Sequence, residues 1–360
     1  MSKESDYETV LVLQGGGSLG AYECGVFKAL SKYGIDFDVI VGTSIGAINA
    51  SLIAGSKDDN AAKNLESFWL ELAEKVTSIF PESMRTYFST FFASTWGNPH
   101  VALPIFGFPN PWLFSFNQPF LYDNLPLKKT ISDFIDLKKL NKHRPRVILT
   151  SVDIQEGKSV SFDSNKIKID ADHIMASAGY PFYGISWTKK DDKYLWDGSL
   201  LSNTPLREAI SASPISDKDV YLVSLFPRKQ EDLPKNMIES WHRARDIMHS
   251  DKTEHNVKMS KVISRYIDII KKMHGILENA QLDDKSRDEL KQLQNEYHKL
   301  ASQRGAIIKN IVRIERTEDT HFLLEDADFS LSKIKHLIEE GQRDTENVLR
   351  KNKNSGIYNG

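Results

Sequence analysis

The chain of 360 residues has little cysteine, almost no net charge and no long apolar run. Cys24 is its single cysteine, so no intramolecular disulfide can form, and this favours a reducing compartment. The 47 basic and 49 acidic residues leave a formal net charge of −2, which excludes a general electrostatic attraction to nucleic acid. No apolar stretch reaches the roughly 20 residues that a membrane-spanning helix needs. Residues 1–6 lack the apolar core of a signal peptide, so we expect a cytoplasmic protein.

Recognisable metal-binding patterns are also missing. The histidines and the single cysteine form no tight cluster, and the acidic pairs at 58–59, 191–192 and 283–284 lack the spacing of a calcium loop. Such pairs are typical of solvated turns. We therefore predict that the protein needs no metal and no cofactor.

Two glycine-rich elements near the N-terminus carry the strongest functional signal. The first, residues 15–20, reads Gly-Gly-Gly-Ser-Leu-Gly and follows the apolar run 9–14, which is typical of a buried strand. The second, residues 42–46, reads Gly-Thr-Ser-Ile-Gly and lies between a short apolar run and a helix-like segment. Gly-x-Ser-x-Gly between a strand and a helix is typical of the nucleophile elbow, a sharp turn that exposes its serine. The sequence predicts Ser44 as a nucleophile.

The glycine run before the elbow has two readings. Several backbone N–H groups after a strand can point at one anion, which suits the negative charge that a serine attack creates. Gly15, Gly17 and Gly20 also match the dinucleotide pattern Gly-x-Gly-x-x-Gly, which expects an acidic residue at the end of the next strand. Asp36 and Asp38 precede that strand instead, so the anion reading is favoured.

A serine hydroxyl is a poor nucleophile until a base accepts its proton, and two bases remain open. Ser44, Asp197 and His242 follow the Ser-Asp-His order of α/β-hydrolases, yet only one strand precedes Ser44. The other candidate is Asp197 acting directly, because the glycine after it permits a close backbone approach. The histidine alternative would use His242, His249 or His173.

Five segments in order, over roughly residues 8 to 226, resemble the patatin-like phospholipase family. The later segments 328–330 and 341–344 resemble the C-terminal extension of some bacterial members. Beside the glycine loop and the elbow they are Ala-Ser-Ala-Gly-Tyr-Pro at 176–181, Asp-Gly at 197–198 and Asn-Thr-Pro at 203–205. The resemblance implies an α/β fold, a three-layer sandwich with a mostly parallel central sheet. It further implies a Ser44–Asp197 dyad without histidine, an oxyanion hole and a set of motif glycines. The implied oxyanion residues are Gly15, Gly16, Gly17 and Ser18, and the motif glycines are Gly20, Gly42, Gly46 and Gly198.

Two positions depart from the family pattern. Leu19 lies where the family often has Arg or Lys, so cationic help at the oxyanion must come from elsewhere or be absent. Ser199 follows Asp-Gly where the family has Gly or Ala, and this keeps a small residue there. Neither change removes a group that the dyad chemistry requires.

The resemblance implies a serine lipid acyl hydrolase with a phospholipid or lysophospholipid substrate and peripheral membrane contact. Residues 80–122 hold 13 of the 36 aromatic residues and several prolines, and we interpret them as a lid or acyl-channel wall rather than only a buried insertion. Two rival functions remain open: a lipid-binding or assembly protein with a relic site, and a histidine-dependent acyltransferase or esterase.

The predicted domain organisation has three parts. Residues 1–230 form the catalytic region, 231–350 a helical C-terminal extension, and 351–360 a disordered tail. Within the extension, helices are predicted over 236–280, 284–303 and 331–349, and a late edge strand over 307–314. The basic excess of the first two helices would suit anionic lipid headgroups, but their mixed charges at helical spacing favour a solvated helical pair. Cys24 is predicted as a buried structural thiol in a helix over 21–33.

Overall fold

The computed structural model describes residues 7–73, 103–104, 119–142, 144–213, 216–278, 283–304, 308–317 and 325–354. Its centre is an eight-stranded sheet in the order β10-β9-β1-β2-β5-β8-β7, with β6 also paired to β5. A separate two-stranded sheet is formed by β3 and β4. The strands are β1 (Tyr7–Leu13), β2 (Val39–Thr43), β3 (Leu103–Pro104), β4 (Tyr122–Asp123), β5 (Arg146–Asp153), β6 (Lys158–Asp163), β7 (Thr188–Lys190), β8 (Lys193–Asp197), β9 (Asp217–Ser224) and β10 (Ile308–Glu315).

Five neighbouring strands, β10, β9, β1, β2 and β5, are parallel, and β6, β7 and β8 pair in the antiparallel sense. Parallel strands need crossover connections, which helices provide, and both faces of the sheet are therefore covered. The helices are α1 (Gly20–Lys32), α2 (Ile45–Ala54), α3 (Ala61–Leu72), α4 (Leu125–Phe134), α5 (Leu137–Leu140), α6 (Ala171–Ala176), α7 (Leu206–Ala212), α8 (Met237–His249), α9 (Glu254–Glu278), α10 (Asp284–Arg304) and α11 (Leu331–Asn354).

Alternation along β1 separates two hydrophobic cores. Leu11 and Leu13 face a core with α1, α2, α3 and α11, whereas Val10 and Val12 face a second core with α7 and the start of α9. Successive strand side chains point to opposite faces, so one fully buried strand supplies both cores. Helices, sheet and helices form three layers, which confirms the predicted α/β class.

The C-terminal part of the chain belongs to the same body as the N-terminal part. β10 extends the sheet beside β9, as predicted for a late edge strand, and α11 packs against α1 with Ile334 and Leu337 buried. Gly25 and Gly341 allow this contact, because a Cβ at either would lie 1.9 or 2.1 Å from a carbonyl oxygen of the other helix. A strand of the central sheet and a helix of its core therefore follow the predicted boundary at 231.

Helix boundaries differ from prediction at two places. The single helix expected over 236–280 is two helices, α8 and α9, because Asp251 caps a turn in which its carboxylate accepts the N–H of Thr253. The tail predicted to be disordered from residue 351 is instead helical as far as Asn354. Most of the aromatic segment 80–122 lies outside the described residues. No helix in the described ranges is long and apolar enough to cross a membrane.

Candidate active site

Ser44 lies at the junction of β2 and α2 in a backbone conformation that few residues adopt. Its φ of 56° and ψ of −125° place it outside the helical and extended regions. The flanking glycines make the turn feasible. A Cβ on Gly42 would lie 2.2 Å from the carbonyl oxygen of Gly46, and a Cβ on Gly46 would lie 2.6 Å from that of Leu13. The glycines at 42 and 46 are thus required by close backbone contacts, and Ser44 lies in a sharp turn from strand to helix.

Asp197 reaches the elbow because two strands meet end to end along β5. β2 runs parallel to β5 and ends with Thr43 paired to Thr150. β8 runs antiparallel to β5 and ends with Asp197 paired to Ser151, the next residue of β5. Since β6 occupies the opposite edge of β5, the carboxyl ends of β2 and β8 converge on one edge. Ser44 directly follows the end of β2, and Asp197 is the last residue of β8.

The Ser177 hydroxyl links the turn at Ser44 to β5. The Ser44 N–H donates to Ser177 Oγ at 2.9 Å, and Ser177 Oγ donates to the Thr150 carbonyl at 2.6 Å. Gly198 packs directly on the same strand, because a Cβ there would lie 2.4 Å from Thr150 Oγ1. The segment 176–181 and the Asp-Gly pair therefore serve the elbow through β5.

The Asp197 carboxyl group is fully buried, and its pKa is raised to about 6. Burial is the main cause, because a charged carboxylate loses its hydration there, while hydrogen bonding from Ser44 and Ser199 lowers the pKa in part. The Ser199 N–H donates to Oδ1 at 2.8 Å, and Oδ2 has no fully formed hydrogen bond among the described groups. A carboxylate in this state is a stronger base than a solvated one.

The glycine loop touches the elbow through its first residue. A Cβ on Gly15 would lie 2.8 Å from the Ser44 Cβ, so only glycine fits there. Asn203 fixes this residue from both sides, since Oδ1 accepts the Gly15 N–H at 3.1 Å and Nδ2 donates to the Gly15 carbonyl at 3.1 Å. The expectation that Gly15 donates to an oxyanion is therefore corrected, because its N–H already has an acceptor.

The following N–H groups of Gly16, Gly17 and Ser18 have no acceptor recorded within the described structure. They precede and open a short 3-10 turn at Gly17–Leu19, where first-turn amides lack intrahelical partners. Gly17 has a φ of 55°, which favours glycine. These amides are available to an anion. Leu19, at the departure from the family pattern, is fully buried.

Residues near the C-terminus hold the glycine loop, and sequence reasoning missed them. The Ser18 hydroxyl donates to the Glu325 carbonyl at 3.1 Å, and a Cβ on Gly17 would lie 2.2 Å from the Asp326 carbonyl oxygen. The Asp326 carboxylate in turn accepts hydrogen bonds from Tyr183 and, at 3.1 Å, from Arg245. Because these partners are about 300 positions from the loop, no local sequence pattern indicated them.

The histidines proposed as alternative bases have other partners. His249 Nε2 lies 3.0 Å from the Tyr180 hydroxyl, and burial lowers its pKa, so the ring is held in its neutral form. His242 is buried with its Nδ1 3.3 Å from Asp246, and His173 forms a capping box with Asp170. No hydrogen bond joins any of the three to Ser44 in the described ranges.

The last candidates to consider are the single cysteine and possible metal ligands. Cys24 is buried, and burial raises the pKa of its thiol far above the usual range, which agrees with the predicted structural role. Within the described parts of the chain, no group of three or more His, Cys, Asp or Glu side chains could hold a metal ion.

Comparison with known proteins gives one family and several relatives. The family model for patatin-like phospholipases matches residues 11–210, more than half of the 360-residue chain. A cGAMP-activated phospholipase of Escherichia coli (strain TW11681) is 25% identical over 246 residues, covering 60% of this chain and 61% of that protein. A cGAMP-activated phospholipase of Vibrio cholerae is 27% identical over 218 residues, covering 54% of this chain and 55% of that protein.

The matches therefore span about three fifths or less of these relatives. Among solved structures, VipD from Legionella pneumophila is 12% identical with a TM-score of 0.39, over 96% of this chain and 67% of that one. A likeness at that level carries no argument about the site.

Proposed function

The chain belongs to the patatin-like phospholipase family, and from that premise we propose that it is a serine lipid acyl hydrolase acting through a Ser44–Asp197 dyad. The observation that carries the proposal is the convergence of β2 and β8 on consecutive residues of β5. In the proposed site, the strained serine and the buried carboxylate act together, and the free amides of the glycine loop bind the oxyanion. Those are the three parts that ester cleavage requires.

In the first half of the reaction, Ser44 Oγ attacks the ester carbonyl carbon while Asp197 Oδ2 accepts the hydroxyl proton. A tetrahedral intermediate forms, and its negative oxygen accepts hydrogen bonds from the amides of Gly16, Gly17 and Ser18. Removing one good oxyanion donor typically costs on the order of 100- to 1000-fold in rate. The carbon–oxygen bond of the leaving alcohol then breaks, and that alcohol takes the proton from Asp197.

In the second half, water attacks the acyl-serine and Asp197 accepts a proton from it. A second tetrahedral intermediate uses the same amides. Its collapse breaks the bond to Ser44, returns the proton to Oγ and releases a carboxylic acid. The chain's own residues supply every proton transfer, so the scheme uses no metal and no cofactor.

The proposed substrates are phospholipid or lysophospholipid esters, and short synthetic esters are expected to react as well. The relatives in Escherichia coli and Vibrio cholerae are phospholipases by name, which supports this class. Peripheral contact with a membrane follows for any enzyme whose substrate lies in one.

Product analysis on mixed phospholipids tests the proposal. The wild-type protein and Ser44→Ala are incubated with vesicles, and released fatty acid and lysolipid are measured by mass spectrometry. We expect release by the wild type and none above background by Ser44→Ala. A serine-reactive fluorophosphonate that fails to label the wild type, or labels Ser44→Ala equally, would instead support a lipid-binding protein with a relic site.

A further inference from the structure

The long helix α9 exposes a large amount of apolar surface. Of the 22 large apolar side chains that are exposed in the described chain, eight lie on this one helix, with exposed fractions between 38% and 72%. A soluble protein rarely leaves a contiguous apolar patch of this kind without a binding role. We call these residues the α9 stripe: Met259, Val262, Tyr266, Ile269, Ile270, Met273, Ile276 and Leu277.

The stripe is continuous along one side of the helix. Its members from Met259 to Ile276 are separated by three or four residues, and Ile270 and Leu277 widen the same side. With 3.6 residues per turn, this spacing gives a face roughly 120° wide. At about 1.5 Å per residue, it is about 27 Å long. This face is wider than the apolar contact between the two helices of a coiled coil.

A row of cations borders the stripe on one side. Lys258, Arg265 and Lys272 recur every seven residues, so they lie along one flank next to the apolar face. Ile263 and Ile270 lie along the other flank. Over its whole length α9 has five Lys and Arg against three Asp and Glu.

This charge pattern indicates which kind of partner could cover the α9 stripe. In a parallel coiled coil of two copies, the cationic flank of one α9 would face the isoleucine flank of the other. In an antiparallel one, cation would face cation, so neither arrangement gives complementary ion pairs. A lipid surface with anionic headgroups, in contrast, takes the apolar side chains into its acyl boundary and neutralises the cationic row.

The preceding helix connects α9 to the candidate active site. The inner side of α8 carries His249, whose ring contacts Tyr180 and whose carbonyl accepts the Asn203 amide at 2.9 Å. Asn203 is the residue that holds Gly15 beside Ser44. The outer side of α8 exposes Met237, Trp241 and Met248. Only four residues separate α8 from α9, so a surface bound by α9 lies close to the helix that supports the site.

We propose that the α9 stripe and its cationic row dock the protein on an anionic phospholipid surface. The choice of a lipid surface rests on the proposed function, since an enzyme for lipid esters must reach aggregated substrate. The sequence did not predict this docking surface, because the net charge of the region does not indicate which side of the helix is exposed.

Vesicle flotation tests the docking without turnover. All variants carry Ser44→Ala, and binding is compared on vesicles of neutral phosphatidylcholine and of phosphatidylcholine with anionic phosphatidylglycerol. We expect binding to anionic vesicles that weakens with salt. Ile269→Glu with Met273→Glu should abolish it, and reversing Lys258, Arg265 and Lys272 to Glu should weaken it on the order of 100-fold. The matched control is Leu293→Glu on α10, whose side chain is 62% exposed and outside the stripe.

Three outcomes overturn the docking proposal: binding that survives the stripe variant, equal loss in the Leu293→Glu control, or binding that ignores vesicle charge. A concentration-dependent dimer that the stripe variant breaks, with no vesicle binding, identifies a second copy as the occupant and also overturns it. Hydrolysis of a short soluble ester, measured with Ser44 intact, separates the two proposals. Vesicle binding without any esterase activity contradicts the proposed function alone, and esterase activity without vesicle binding contradicts the docking alone.

Discussion

Ser44 and Asp197 occupy the facing ends of two strands that share one edge of β5. Thr43, which precedes Ser44, pairs with Thr150, and Asp197 pairs with Ser151. Two adjacent residues of β5 therefore position the pair. Their separation is set by sheet hydrogen bonding rather than by loops. Sites built on regular elements hold their side chains more precisely than sites on loops, which suits a dyad that has no third member to orient it.

The pH dependence of turnover follows from the raised pKa of Asp197. If this carboxylate is the base, it must be ionised, and kcat/KM for a short soluble ester should fall tenfold per pH unit below about 6. The profile is measured from pH 4 to 8 with folding checked by circular dichroism. A flat profile across that range contradicts the role of Asp197.

Asp197→Asn should stabilise the protein while removing activity. The folded pKa of about 6 lies above the ordinary value of 3.8, so the folded state binds the proton more tightly than the unfolded state. Folding stability linked to this group is therefore greatest below pH 4 and is lost as pH rises through 6. The loss is about 3 kcal/mol for roughly two pKa units.

Urea unfolding at pH 5 and pH 8 measures this effect. The free energy of unfolding of the variant should clearly exceed that of the wild type at pH 8. The difference should be smaller at pH 5, because Asp197 of the wild type is largely protonated there. An Asn variant that is less stable at pH 8 would mean that the carboxylate has a stabilising partner and is not the strained base described here.

Asn203 is predicted to act on catalysis by positioning the glycine loop. Asn203→Ala leaves the N–H and the carbonyl of Gly15 without buried partners, which costs about 1–3 kcal/mol of stability. We expect kcat for a soluble ester to fall more than tenfold with KM changed less than threefold. Asn310→Ala, at an exposed hydrogen bond to Asp219, is the matched control and should leave kcat unchanged. Equal effects of both variants would exclude a positioning role.

His249 provides the sharpest test against a histidine base. Its ring contacts Tyr180 rather than Ser44, and burial lowers its pKa. His249→Gln should therefore keep the acid limb of the pH profile near 6 and at least a third of the turnover. Disappearance of the limb, or a tenfold loss in a folded variant, favours the histidine-dependent alternative.

Contact between α1 and α11 should depend on Gly341. A Cβ there would lie 2.1 Å from the Tyr22 carbonyl oxygen, so Gly341→Ala must separate the helices and should cost at least about 1–3 kcal/mol. Gly275→Ala in α9 is the control, because nothing lies within 4 Å of its added Cβ. It should be neutral or stabilising by up to about 1 kcal/mol. Thermal unfolding distinguishes the two, and similar melting temperatures contradict the packing described.

Much of the fold followed from local signals. The elbow and the glycine loop follow apolar runs bounded by glycine or charge, and such patterns depend only on neighbouring residues. The late edge strand was found for the same reason. The break between α8 and α9 was missed because the short turn at Asp251 contains no glycine or proline.

The contacts that hold the site were less accessible to sequence reasoning. The segments at 176–181 and 203–205 carry recognisable motifs, but the motifs do not reveal their contacts. Ser177 accepts the Ser44 N–H and Asn203 accepts the Gly15 N–H, and both contacts depend on tertiary structure. Gly15 was assigned to the oxyanion hole because a pattern cannot tell which of its amides already has an acceptor. Glu325 and Asp326 gave no signal, since they meet the loop only after β10 joins the sheet.

The rate of covalent labelling of Ser44 tests the dyad most directly. The wild type and Asp197→Asn are treated with a fluorophosphonate at pH 8, and the modified peptide is quantified over time by mass spectrometry. We expect the label on Ser44, with labelling of Asp197→Asn slower on the order of 100-fold because the general base is gone. Equal labelling rates in the two folded proteins, or a label on another serine, would contradict the account.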